Sequence, residues 1–215
     1  MKNIFRTFTL LMILFYFISG DIKASHIMGG EMTYRYIGFN SITGMEKYQV
    51  CVFFYRDVTG ISCPGSVSIR IWEDDDGNPL TATGLAQTGS NITISQTGSV
   101  IITQNLIPPG CPVSIGFDVE LCTYCDIIEV PPSLKGYHIT TGTCCRNGAL
   151  DNLVSGSSTW YTFIPPTYYQ NSSPSFTDFA TPYLCACDTT TVLNTATDPD
   201  GDLLIFSFSH PLNTS

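Results

Sequence analysis

Basic residues are scarce in this sequence: 9 Lys and Arg stand against 18 Asp and Glu in 215 residues, for a formal charge of −9. No cluster of them offers a track along a phosphate backbone, which argues against nucleic acid as a partner. Histidine is scarcer, with only His26, His138 and His210. There is no Gly-x-Ser-x-Gly elbow and no His-Glu-x-x-His helix, so nucleophilic or zinc-protease chemistry has little to work with. No catalytic residue is assigned, and the chain is not expected to be an enzyme. Beyond the first residues no window sustains a helical period, and no apolar run approaches the ~20 residues of a membrane-spanning helix. Disorder is excluded as the main state, because 43% apolar and 12% aromatic residues are too many for a chain that buries nothing.

What is present begins with a targeting segment. Residues 1–24 carry Lys2 and Arg6, an apolar run from Phe8 to Ile18 and a small residue at Ala24, the pattern of a secretory signal peptide. Cleavage is expected between Ala24 and Ser25, with Gly20 a rival site. Its removal takes Lys2, Arg6, Lys23 and Asp21, leaving 6 basic and 17 acidic residues and a charge of −11. Such a surface favours cations and disfavours anionic membranes and polyanions. The expected location is secreted, with no transmembrane segment in the mature chain.

Nine cysteines lie in the mature part: Cys51, Cys63, Cys111, Cys122, Cys125, Cys144, Cys145, Cys185 and Cys187. Export to an oxidising space makes disulfides their default use, with the pairing undetermined by spacing and the odd count leaving one thiol over. Cys122-x-x-Cys125 has the spacing of a zinc knuckle, which Cys185-x-Cys187 would complete; disulfides are the preferred reading. A thioredoxin-like motif fails for want of a βαβ pattern.

Val113, Ile115, Phe117 and Val119 alternate with polar residues, a period of two that puts one face of a strand inward. Further strands are expected at Glu31 to Ile37, Tyr48 to Arg56, Val67 to Trp72, Val100 to Thr103, Tyr137 to Thr140, Thr159 to Ile164 and Leu203 to Phe208. Turns are expected at Asn40 to Gly44, Asp74 to Pro79, Thr97 to Ser99, Pro108 to Pro112, Pro131 to Gly136, Asn147 to Gly156 and Pro165 to Pro174. Many short strands punctuated by Gly and Pro predict an all-β sandwich, since each apolar face must be covered by a second sheet. A polar, Pro-rich stretch over 165–182 separates a sandwich at 25–166 from residues 170–215. The latter hold too few strands to close a second one and read as a domain begun and unfinished.

Candidate sites are few. Asp198, Asp200 and Asp202 alternate around Gly201 and offer oxygens to calcium, although the spacing is not that of an EF-hand. Glu73 to Asn78 forms a second acidic turn, better read as Asp side chains bonding nearby N–H groups. Arg56-Asp57 and Arg146 could clamp a carboxylate or sugar, but ion pairs at strand ends are the commoner use. His26 would lie second from the new terminus, where a terminal strand is the simpler role; His138 sits in a strand, and His210 precedes Pro211. Trp72, Trp160, Tyr161, Tyr168 and Tyr169 could stack on sugars, although filling the core is the prior role for large rings. Asn91, Asn171 and Asn213 begin glycosylation triplets, a pattern short enough to arise by chance.

Several segments together carry a resemblance: Ser25-His-Ile-Met-Gly-Gly-Glu-Met-Thr-Tyr34, Tyr55-Arg-Asp57, Cys144-Cys-Arg-Asn147, Asn171-Ser-Ser-Pro174 with Phe176, and Ala196-Thr-Asp-Pro-Asp-Gly-Asp-Leu203. In order and spacing across most of residues 25–212 they resemble the amino-terminal region of large gliding-motility-associated surface proteins of gliding bacteria. The resemblance implies a row of immunoglobulin-like or PKD-type β domains, export by type IX secretion and a role at the bacterial cell surface in adhesion or motility. It carries over no catalytic residue. Family members often have Cys after the Arg-Asp pair; here Val58 stands there, with Cys51 and Cys63 on either side. Asp-Pro-Asp-Gly-Asp resembles the calcium-linked junctions of cadherin-like repeats. The expected protein is therefore an immunoglobulin-like sandwich followed by the start of a second, cadherin- or Ig-like domain. Its expected role is a non-enzymatic adhesion module, with surface glycans or extracellular proteins as partners and calcium as the one cofactor. The alternatives are a carbohydrate-binding module or an accessory domain of a secreted hydrolase.

Overall fold

From Met45 to Arg56 the chain alternates strictly, burying Glu46, Tyr48, Val50, Val52, Phe54 and Arg56 and turning the residues between them outward. That period is what an extended strand with one covered face requires. The computed structural model describes residues 27–73, 91–102, 118–143, 157–177, 189 and 195–208. Their strands are β1 (Ile27–Asn40), β2 (Met45–Asp57), β3 (Ser66–Glu73), β4 (Asn91–Ile102), β5 (Val119–Val130), β6 (Tyr137–Thr143), β7 (Ser158–Ile164), β8 (Ser175–Phe176) and β9 (Ala196–Thr197). There is no α-helix among the described residues.

The first seven strands form one antiparallel sheet in the order β1-β2-β5-β4-β3-β6-β7. Strand β4 is shared: residues 91–95 pair with β3, and residues 96–102 pair with β5. A bulge between Gln96 and Gly98 divides the two halves, and bulges bend a strand. The sheet thereby folds on itself into two layers, β1-β2-β5-β4 and β4-β3-β6-β7. That is the A-B-E-D and C-F-G order of an immunoglobulin sandwich, with the first half of β4 added beside C. The layers meet face to face: Phe54 of β2 and Trp160 of β7 have ring centroids 4.6 Å apart. Gly30 of β1 lies so close to the Trp160 indole and the Phe53 carbonyl that a Cβ there would stand 2.6 to 2.8 Å from their atoms.

The turn into β6 adds an independent mark of this fold. The Tyr137 hydroxyl donates to the carbonyl of Pro131, 2.8 Å away and six residues upstream, which is the tyrosine corner that joins strands E and F in such sandwiches. Gly136 precedes it at φ +97°, and a Cβ there would collide with the Ile164 carbonyl, so both conformation and space require glycine.

Three expectations change. Thr97 to Ser99 is the bulge within β4 rather than a turn. Leu203 to Phe208 has the apolar content of a strand but forms none, because no neighbouring strand is hydrogen bonded to it among the described residues. Strand β5, which the sequence did not suggest beyond Val119, runs through Cys122 and Cys125. The expected alternation over 113–117 lies outside the described residues.

Candidate functional site

Cys122 and Cys125 are three apart in a strand, and an odd spacing sends their side chains to opposite faces. They therefore cannot share a zinc ion, and the knuckle reading falls. Cys125 lies directly opposite Cys51 across β2 and β5 and bonds to it, with Cα atoms 4.2 Å apart. Cys122 faces the core and bonds to Cys63 in the loop after β2. Cys111, Cys144, Cys145, Cys185 and Cys187 lie outside the described residues, as do Ala24, Ser25, His26, Arg146, His210, Asn213 and 74–78 of the acidic turn. Glu73 of that turn accepts the Ser133 hydroxyl at 2.5 Å.

Arg56 is not an open clamp. It is buried, ion-paired with Glu120 of β5, and donates from Nη1 to the carbonyls of Asp57 and Ile61, both at 2.9 Å. Asp57 Oδ1 in turn accepts the Thr59 N–H at 2.8 Å. The Tyr55-Arg-Asp57 segment thus ties the loop after β2 to β5, in keeping with the ion-pair reading. The hydroxyl of Tyr55 donates to Glu31 at 3.1 Å, and burial raises the Glu31 carboxyl above its usual range, the bond from Tyr55 partly opposing it.

The aromatic residues sort into three places. Trp160 packs on Phe54 and the core. Trp72 and Tyr161 lie on the outer face of β3, β6 and β7 with His138, whose Nδ1 is hydrogen bonded to the Tyr161 hydroxyl at 2.7 Å. Tyr168 and Tyr169 lie exposed on a short 3-10 turn, Thr167–Tyr169, with ring centroids 4.1 Å apart.

The densest polar arrangement is on the free edge of β1. The Tyr34 N–H donates to Ser173 Oγ at 2.9 Å, and the Ser173 N–H donates to the Tyr34 carbonyl at 2.8 Å. Ser172 Oγ accepts the Tyr36 N–H at 3.3 Å, and Asn171 Nδ2 donates to the Tyr34 hydroxyl at 3.0 Å. Residues expected to be a polar linker thus act as a strap that satisfies an otherwise open sheet edge, the place where unpaired backbone groups invite unwanted pairing. Ser172 and Ser173 are buried in doing so. Asn171, a glycosylation candidate, is held here by its amide; Asn91 is exposed at the start of β4.

The acidic turn closes onto the strap. Asp200 Oδ2 accepts the Ser172 N–H at 2.6 Å, while the two-residue strands β8 and β9 pair beside it. Asp198 Oδ1 accepts the N–H groups of Asp200 at 2.9 Å and Asp202 at 3.2 Å, and Gly201 turns the chain at φ +81°. Two of the three carboxylates are therefore already engaged by backbone donors, Asp198 within an Asx turn and Asp200 across to the strap. Among the described residues no three His, Cys, Asp or Glu side chains converge as a metal centre. Tyr34 registers the setting: burial, and then the nearby Asp198, Asp200 and Asp202, push its phenol up to about 12 against the opposing bond from Asn171.

No protein-family model, characterised protein or solved structure matches the chain in comparisons with each. Among the described residues no helix is long and apolar enough to cross a membrane.

Proposed function

We propose that this chain is a non-enzymatic module exported to the bacterial cell surface, the amino-terminal part of a larger adhesion protein of the gliding-motility-associated kind. One observation carries the reading. Three of the segments that resemble that family, ending in Tyr34, spanning Asn171-Ser-Ser-Pro174 and spanning Asp198 to Asp202, are hydrogen bonded to one another along a single sheet edge. Their polar groups are spent on holding two parts of the chain together. The bridges at Cys51–Cys125 and Cys63–Cys122 suit an oxidising compartment and a part that must resist unfolding.

Antibody raised against the sandwich would label intact cells, and deleting its coding segment would abolish attachment to surfaces without slowing growth. Retention of the protein in the cytosol would overturn the reading. Calcium belongs to the same proposal, held by the oxygens of Asp198, Asp200 and Asp202 that the turn does not use. The expected outcome is a higher melting temperature in calcium than in chelator, reduced by Asp202→Asn; identical melting curves would remove the metal.

A further inference from the structure

The outward face of β3, β4, β6 and β7 is built unlike an ordinary solvent-facing sheet. Ile69, Ile71 and Ile139 on the opposite face are sealed in the core, so alternation leaves this side to water, where polar residues are expected. Trp72, His138 and Phe163 instead stand directly opposite one another across three strands. Trp72 and His138 have ring centroids 5.9 Å apart, and His138 and Phe163 4.9 Å apart. Tyr161, 44% exposed, extends the row along β7. The core has no use for these rings.

The adjacent row supplies hydrogen-bonding groups: exposed Arg70 lies between Asn91 of β4 and Thr140 of β6. Among the described residues this face carries no Asp or Glu, in a chain with twice as many acidic as basic residues. We propose that it binds an acidic polysaccharide, with pyranose rings against the aromatic row and a sugar carboxylate on Arg70. The apolar faces of sugars pack on aromatic rings, and a guanidinium meets a carboxylate through charge-assisted hydrogen bonds. From strand to strand these rings recur at 5.9 and 4.9 Å, the scale of one sugar unit, so successive sugars meet successive rings. A strongly acidic protein repels a polyanion over most of its surface. A face free of carboxylates is where that repulsion is weakest.

This inference rests on the reading of the chain as an exported holding module, and names its ligand. The test is affinity electrophoresis of the whole chain in native gels containing polygalacturonate, its methyl ester or hydroxyethylcellulose. Polygalacturonate retards the protein, and Arg70→Gln and Tyr161→Ala each weaken the retardation about tenfold, the scale of one lost charge-assisted or stacking contact, with unchanged melting temperatures. The ester and the neutral polymer retard it correspondingly less. Absence of retardation, equal retardation by all three polymers, or variants that bind like the parent would overturn the proposal. A concentration-dependent dimer abolished by Tyr161→Ala would also overturn it, assigning the face to a second copy. Any of these results obtained with a protein that still labels on intact cells removes the ligand and leaves the surface module standing.

Discussion

Between β1 and β7 the side chains of Tyr48, Phe54 and Ile69 are sealed from water, whereas in the segment after Asp202 the side chains of Leu203, Ile205 and Phe208 lie open to it. The first region is held by burial and by the Cys51–Cys125 and Cys63–Cys122 bridges. The second is fastened to it by a few hydrogen bonds through Ser172, Ser173 and Asp200. Burial of a large apolar side chain contributes a few kcal/mol, while one hydrogen bond contributes about 0.5 to 1.5 kcal/mol net. The same chain should therefore respond to perturbation on two scales.

The sharpest contrast is Phe54→Ala against Phe208→Ala. Denaturant unfolding should show a loss of about 3 to 5 kcal/mol for the first, which empties a packed site between the layers. The second, at a fully exposed position, should stay within about 0.5 kcal/mol. Equal losses would mean that the carboxy-terminal segment is packed in solution.

Next in size is the double change Cys63→Ser and Cys122→Ser. It removes a bridge across 59 residues of sequence and should cost about 2 to 4 kcal/mol, read as a lower denaturant midpoint. The strap on β1 should survive unaltered in the remaining folded protein.

Alkaline titration probes the body and, through Tyr34, its contact with the strap. Burial first, aided by nearby carboxylates, raises Tyr34, Tyr36 and Tyr124 to about 12. Each therefore keeps its proton in the folded chain at a pH where the unfolded chain, with a phenol near 10, has lost it. The folded state binds more protons, so stability is whole below about pH 10 and declines as pH rises toward 12. Phenolate absorbance should rise late and together with unfolding. An early rise with melting temperature unchanged would mean that these rings are open to solvent.

Smallest is the pair Ser173→Ala and Asp200→Asn. Each should lower the melting temperature by only about 1 to 6 °C, since a single local hydrogen bond is at stake. Hydrogen exchange at the Tyr34 and Ser172 N–H groups should nevertheless quicken. A large global loss from either would erase the distinction between body and strap.

The two regions were also unequally legible in the sequence. Strand β2 was readable from its apolar, β-branched and aromatic content between turn signals, although its strict alternation appears only in the burial, since Val50 to Tyr55 are all apolar or aromatic in sequence. Strand β5 was not, because Leu121 and Cys122 are both buried and its cysteines serve opposite faces. Those same residues suggested a zinc knuckle when read along the chain, and only the pairing with β2 separates them. Leu203 to Phe208 shows the converse: composition favours a strand, but a strand exists only with a partner. Of the candidate site, the acidic turn was visible as alternating carboxylates around Gly201. Its attachment was not, since Tyr34 and Ser173 are 139 residues apart and nothing local in either segment names the other. The aromatic row was equally hidden, because Trp72, His138 and Phe163 become neighbours only when three strands pair in register.

Peptide mapping without reduction tests most directly the proposal that this chain leaves the cytosol and is stapled as it folds. Native protein recovered from the cells that make it should yield linked peptides joining Cys51 to Cys125 and Cys63 to Cys122. Recovery of those four thiols free and open to alkylation in the folded protein would contradict it.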